Sequence, residues 1–291
     1  DPDLFELFTA AMGASSSQVF SLTSGQALNS LCLTQRVGDV MMEAITGAYV
    51  ETMTISMSGG DDPKVSFDGG ASDYIVTTTS TANGTGSTSS TLVVNDADAF
   101  EIGSVVAIAS DDNSGVGYKV TNKSTTTLTL EDTASWSNSA AVTPFTAAET
   151  TAGSPSPGIT GSVTLAGNSG IEIVSFDVTL KNNIKPIADE AFSAVTTDFV
   201  PGYREVTGSL TVGCAKDQAL ELGKRRNFDT RDLQIVSGSG TGKVCTIDLD
   251  DVEFQFSALD IPESEEVVIT LPFVALASSA TANDELTITF S

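Results

Sequence analysis

The chain predicts a mainly β fold, and three observations carry that expectation. Apolar residues alternate with Thr, Ser, Asp and Glu in segment after segment, the period of a half-buried strand. In Pro201 to Gly213, for example, Val206, Leu210 and Val212 take one face while Glu205, Thr207, Ser209 and Thr211 take the other. Turn residues such as Gly59-Gly60-Asp61-Asp62-Pro63 and Pro201-Gly202 punctuate these segments. Helical spacing is confined to two short stretches, one at the N terminus and one at Lys216 to Asn227.

A length of 291 residues allows one large or two modest domains, with enough interior for a real core. Acidic residues outnumber basic ones 38 to 13, a formal net charge of −25. That balance argues against a charge-driven grip on DNA or an anionic membrane, since phosphates are held by Lys and Arg. A marine or halophilic host would produce the same excess independently of function. Histidine is absent, which removes the commonest general base and metal ligand together. Cys32, Cys214 and Cys245 are far apart, odd in number and without CxxC spacing, so no zinc site or disulfide framework is expected. They read as buried thiols in strands of a protein made in a reducing cytosol. No run approaches the ~18 apolar residues of a membrane span. No signal peptide is read at the N terminus, which starts at Asp1 without Met.

In chain order, Asp1 to Gly13 reads as a short helix, with Asp3 as its cap and Glu6 three residues on, as in a capping box. Leu4, Leu7 and Phe8 share one face, which either closes the chain's own core or docks as an arm on a neighbouring subunit. Strands are expected between Val19 and Phe67, among them Leu31 to Gln35 and Ala48 to Met57. Thr77 to Thr91 and Ala147 to Gly161 have linker composition. Between them, Leu92 to Val94, Phe100 to Ile108, Gly117 to Val120 and Thr127 to Leu130 give short strands with turns every ~8–12 residues. Two linkers around a self-contained β pattern predict an inserted small all-β module, 77–160, in a host made of 1–76 and 161–291. The host resumes with Gly161 to Leu165 and Glu172 to Leu180, where Val174, Phe176, Val178 and Leu180 line one face. The connection from Ile184 to Pro201 is long for a hairpin. Gly208 falls on the apolar face of its strand and leaves a gap for a neighbour to fill. Lys224-Arg225-Arg226 reads either as cations suited to a helix end or as a phosphate site.

Residues 244–256 carry the densest acids. Ile247 and Leu249 are apolar at odd positions, Val252, Phe254 and Phe256 at even ones. A β-bulge near Asp250-Asp251 reconciles the two sets and leaves Asp248, Asp250 or Asp251, and Glu253 on one polar face. A row of carboxylates suits either calcium or acid-base chemistry, or simply a solvated face; a strand row does not converge on a point, and no Asp-x-Asp-x-Asp-Gly loop is present. Val267 to Phe273 and Leu286 to Phe290 complete the strands.

The order of these segments resembles the tail tube (major tail) proteins of long-tailed bacteriophages. The resemblance covers the host domain and rests on the N-terminal helix ending at a Gly, Thr46 to Gly60 (TGAYVETMTISMSGG), Leu180 to Pro186 (LKNNIKP), Pro201 to Val212 (PGYREVTGSLTV) and Leu271 to Phe290. It implies a β-sandwich with a flanking helix, hexameric rings stacked into a tube, and inner sheets that join into a barrel around a DNA channel. The implied partners are further copies of the chain and other tail proteins (tape measure, terminator, tail tip). DNA passes without specific binding, no membrane is involved, and the place is the virion tail, assembled in the host cytoplasm. By the same resemblance, Asp1 to Gly13 and Ile184 to Pro201 make the inter-ring contacts, through Leu4, Phe5, Leu7, Phe8, Phe192 and Phe199. The 77–160 insertion departs from the family pattern.

The residues themselves agree with such a channel. A tube through which DNA slides must not hold it, and an acidic, Lys-poor wall repels phosphates within a Debye length of ~8 Å. Asp177, Glu205, Asp248, Asp250, Asp251 and Glu253 are the candidate lumen-facing residues. No enzyme, cofactor or metal is expected. Two rival classes are an extracellular adhesin or carbohydrate-binding β protein, set against a single Trp, Trp136, and a carboxylate-pair enzyme, set against the lack of a nucleophile or Lys beside Asp248, Asp250 and Glu253.

Overall fold

Among the residues that the computed structural model describes, one helix and twenty-two strands make up the regular elements. The structure describes residues 2–16, 18–23, 28–38, 40–58, 61–109, 111–145, 161–165, 168–169, 173–187, 198–213, 230–239, 243–255, 268–279 and 282–291. The first host segment holds α1 (Pro2–Met12), β1 (Gly13–Ser16), β2 (Val19–Leu22), β3 (Leu31–Val37), β4 (Met41–Ser58), β5 (Lys64–Gly70) and β6 (Asp73–Thr77). The insertion holds β7 (Ser80–Thr81), β8 (Gly86–Val93), β9 (Val105–Ile108), β10 (Tyr118–Lys123), β11 (Thr127–Trp136) and β12 (Ala141–Pro144). The second host segment holds β13 (Gly161–Leu165), β14 (Asn168–Ser169), β15 (Ile173–Lys181), β16 (Lys185–Ile187), β17 (Asp198–Val200), β18 (Glu205–Gly213), β19 (Arg231–Ser237), β20 (Cys245–Phe254), β21 (Val268–Leu276) and β22 (Thr287–Phe290). The expected helix at Lys216 to Asn227 and the expected linker at Ala147 to Gly161 lie outside the described residues, the terminal Gly161 apart.

Fourteen of the host strands form one antiparallel network, in the order β1-β2-β22-β20-β21-β18-β15-β4-β3, with β5 and β6 on β4, β19 on β20, β13 on β19 and β14 on β13, while β16 and β17 pair separately. Two strands are shared between sections of this network, and each changes parity where it is shared. β20 pairs β22 through Cys245 to Asp248 and β21 through Asp251 to Phe254. Against β19 its register slips between Leu249 and Val252, so the bulge falls on Asp250-Asp251, as the apolar pattern required. β4 pairs β3 and β6 through its first half and β15 and β5 through its second, with a slip between Val50 and Thr52. β2, β22, β20, β19, β21, β18, β15 and the second half of β4 bury a common core in which Phe20, Phe176, Phe273, Met12, Met53, Leu180, Leu210 and Leu233 are the large, fully enclosed side chains.

Val174 departs from its expected place on the core face. The β15 register slips between Ile173 and Ser175, which turns Val174 outward and leaves it exposed. The gap at Gly208 is filled as expected, by the ring of Phe273 from the neighbouring strand.

The insertion has its own six-stranded sheet, β7-β12-β9-β10-β11-β8, and its own core around Phe100, Leu92, Ile108, Leu128 and Val142. Thr77 to Thr91 is not a linker. Ser80-Thr81 and Gly86 to Val93 are strands of this sheet, and Gly86 lies directly under the Trp136 ring. Ser and Thr composition alone misleads here, because Thr is also a strong strand former. Nor is the module merely tethered. The Thr77 hydroxyl donates to Ser104 at 2.8 Å in a buried setting, the Val76 amide donates to Glu101 at 3.2 Å, and the Thr78 amide donates to the Ala99 carbonyl at 2.8 Å. Ile75 reaches over Gly103.

Candidate functional site

A broad outward face of the host runs across β5, β4, β15, β18, β21 and the second half of β20, polar on every strand but β21, whose outward residues are Val268, Thr270, Pro272, Val274 and Leu276. It arises from alternation alone. Apart from β21, each strand points most of its Val, Leu, Ile, Met and Phe inward, so its Thr, Ser and acidic residues stand outward in register. One cross-strand row runs Ser66, Thr54, Thr179, Thr207, Val274, Glu253, and the next runs Lys64, Ser56, Asp177, Ser209, Pro272. A third carries Asp68, Thr52, Lys181 and Glu205. The hydroxyls bridge the strands: Thr54 to Thr179 at 3.1 Å, Thr211 to Thr270 at 3.0 Å, and Ser209 donating to the Asp177 carboxylate. The charges on this face are the carboxylates of Asp68, Asp177, Glu205, Asp251 and Glu253 against the ammoniums of Lys64 and Lys181. Lys181 stands opposite Glu205, and Lys64 lies 4.0 Å from Asp61.

The structure thus brings Asp177, Glu205, Asp251 and Glu253 onto one array and separates the other two acids from it. Asp248 lies farther along β20, between Gln234, whose amide donates to it at 3.4 Å, and Thr287. Asp250 stands exposed on the bulge. Burial and then the charges of Asp284, Asp248, Asp232 and Asp251 hold its carboxyl above the ordinary range. Among the described residues no group of three or more His, Cys, Asp or Glu is placed to hold a metal ion. The acids of the array are spread along and across its strands.

Of the residues expected at inter-ring contacts, those in α1 pack against the core of this chain. Phe8 is 2% exposed and its ring meets Phe20, Phe67 and Phe290 at centroid distances of 5.4–5.5 Å. Phe5 joins the same cluster, and Leu4 and Leu7 pack against the core from its rim. The physical reason is the run Phe8, Ala10, Ala11, Met12, whose small and large apolar groups are fully enclosed. The helix starts at Pro2 rather than after an Asp3 cap, since Pro suits a first turn. It ends at Gly13, where φ is +94°. Phe199 lies in the small β16–β17 hairpin, its ring 4.2 Å from that of Tyr49, and Phe192 lies outside the described residues.

The LKNNIKP motif is a joint. Asn182 is buried, and its amide donates to the carbonyls of Ala11 at 2.9 Å and Val50 at 3.1 Å, tying the end of α1 to the β4 bulge. Asn183 donates to the Tyr203 carbonyl at 2.6 Å and holds the Pro201-Gly202 turn, which leaves the Tyr203 side chain 87% exposed. Compared with protein-family models and with curated proteins, the chain matches none. Three features were not anticipated. Arg204 clamps Glu285 at 3.0 Å, with the two side chains only 12% and 17% exposed, and also donates to the Thr23 carbonyl. Cys32, expected to be buried, is exposed on β3, whereas Cys245 is buried and its thiol is pushed up to about 11 by desolvation. An apolar row, Leu33, Ile45 and Tyr74, faces solvent across β3, β4 and β6.

Proposed function

We propose that this chain is the structural subunit of a phage-like tail tube, a β-sandwich with a flanking helix that assembles into stacked hexameric rings and conducts DNA. The observation that carries the reading is the polar array on β5, β4, β15, β18, β21 and β20. It is wide and net acidic, hydroxyl-rich across β5, β4, β15 and β18, and the mainly apolar outer face of β21 separates that part from Asp251 and Glu253; among the described residues it holds no group placed to bind a metal. A surface of that kind is suited to facing a polyanion without gripping it. In this reading the array lines the channel, Asp177, Glu205, Asp251 and Glu253 supply its negative potential, and Lys181 is kept off passing phosphates by Glu205. The protein acts by shape and charge rather than by catalysis.

Negative-stain microscopy of the purified full chain over a salt series tests this. Rings or tubes with a central hole are expected, favoured by salt that screens the subunit charge. A protein that stays monomeric at high concentration and salt defeats the proposal. The channel assignment has its own test. Asp177→Lys with Glu253→Lys should leave rings intact and slow DNA passage in an infection assay; unchanged infectivity of assembled particles overturns it.

A further inference from the structure

β3 is exposed from Cys32 to Val37 on both of its faces, and among the described residues it pairs only with β4, so its outer edge is open. Natural edge strands of this length are normally blunted by charge, proline or a covering element. β3 carries a single charged residue, Arg36, and no proline. Next to this edge the register sets Leu33, Ile45 and Tyr74 side by side across three strands, 43%, 38% and 51% exposed. Val37 and the turn residue Val40 extend the patch along the hairpin. Two carboxylates stand at that face: Glu43, which accepts a hydrogen bond from Tyr74, and Glu101, which accepts from the Val76 amide at 3.2 Å; the hydrogen bond to Glu43 first, then burial and the two charges, raise the phenol above its usual range.

The other face of the same ribbon is not free. Met42, Ala44, Ile75 and Thr77 share it and are buried, with Ser104 and Gly103 of the inserted sheet against Thr77 and Ile75. The insertion therefore backs the ribbon and holds its apolar face outward in a fixed shape. The patch exposes on the order of 400 Å² of apolar surface, the size at which a patch marks an interaction site. A stable contact needs about 800 Å² per partner, so the patch supplies the dry centre and the open β3 edge the hydrogen-bonded remainder.

From these observations we infer that the β3–β4–β6 face, buttressed by the inserted sheet, is the seat of a second copy of this chain. The inference rests on the self-assembling subunit proposed above. The choice of a second copy follows from charge. Chains of net charge −25 repel one another and meet most readily where their surfaces carry least charge; on this face Leu33, Ile45, Tyr74 and Val37 are uncharged, with Glu43 among them and Glu101 at the β6 border. It also continues β4, which carries the polar array in its other half, so a neighbour seated here extends the assembly from that strand.

The test compares wild type with Leu33→Lys, Tyr74→Ser and the pair, by analytical ultracentrifugation and microscopy of the full chain. These side chains are exposed, so circular dichroism and thermal midpoint should match wild type. The pair should raise the concentration needed for assembly about tenfold or more. Cys32 gives a reading without altering the face. In a Cys214→Ser background its labelling by a maleimide should slow on assembly, while buried Cys245 stays unlabelled in both states. Rings that form equally in the variants, or Cys32 labelled equally fast in assembled protein, overturn the inference and leave the tube proposal standing. Dimers without rings that the variants abolish support the inference and remove the tube. A wild-type chain that never self-associates overturns both.

Discussion

Gly208 shows how little room the polar array leaves behind it. A Cβ there would meet the Asp177 carbonyl and stand 2.5 Å from Cζ of Phe273. Gly208→Ala is expected to destabilise by about 1–3 kcal/mol, read from a urea melt, because a strand backbone and a core ring would both have to move. At the bulge, charge rather than volume decides. Asp250 is raised on folding, first by burial and then by neighbouring acids. A carboxyl raised in this way weakens the fold once pH exceeds its unfolded value. Asp284 has the opposite sign. Burial raises it, but hydrogen bonds from the Ser278 hydroxyl and amide, from its own amide and with the Asp250 side chain together outweigh that, and the net shift is downward. Its support is present above its unfolded value and is lost as pH falls through the folded one. Asp250→Asn should therefore raise the thermal midpoint slightly at pH 7, with the gain fading by about pH 3. A gain that is equal at both pH values refutes the charge account.

Among the elements, α1 had two readings open, and its packing supports the first. The helix closes its own core, with Phe8 inside a cluster of Phe5, Phe20, Phe67 and Phe290. Phe8→Ala is expected to cost about 3–4 kcal/mol in equilibrium unfolding, against under 1 kcal/mol for a side chain that waits for a partner subunit. The β20 bulge was legible because a strand that switches its apolar parity must contain an extra residue. The outward turn of Val174 was not, since the alternation in Glu172 to Leu180 continues unbroken through the slip. β3 was read as a strand, but its exposure depends on what lies across from it. Periodicity is silent about that.

For the whole molecule, the inserted sheet is the decisive element. It was expected to be separable, and its own core agrees with separate folding. Its buried contacts with β6 alter the expected outcome of removing it. Replacing residues 80–144 by a short Gly/Ser linker should uncover Ile75 and Thr77 and reduce solubility and assembly, whereas a freely tethered module would leave both unchanged. Size-exclusion chromatography of the deletion variant distinguishes the two.

What the sequence by itself determined is local. Alternation specified most strands and the face of each that is buried, composition specified the acidic surface, and the mismatch of parity located a bulge. The self-contained β pattern from Leu92 to Leu130 pointed to a second core, although its first two strands were read as a linker. Tertiary structure decided the rest, since pairing partners lie far apart in the chain. Register put Ser56, Asp177 and Ser209 in one row, set Asp248 and Asp250 apart from it, enclosed Phe8, and left Cys32, Leu33 and Tyr74 in water. Side-chain pattern records which face of a strand is apolar; only the fold determines whether anything covers it.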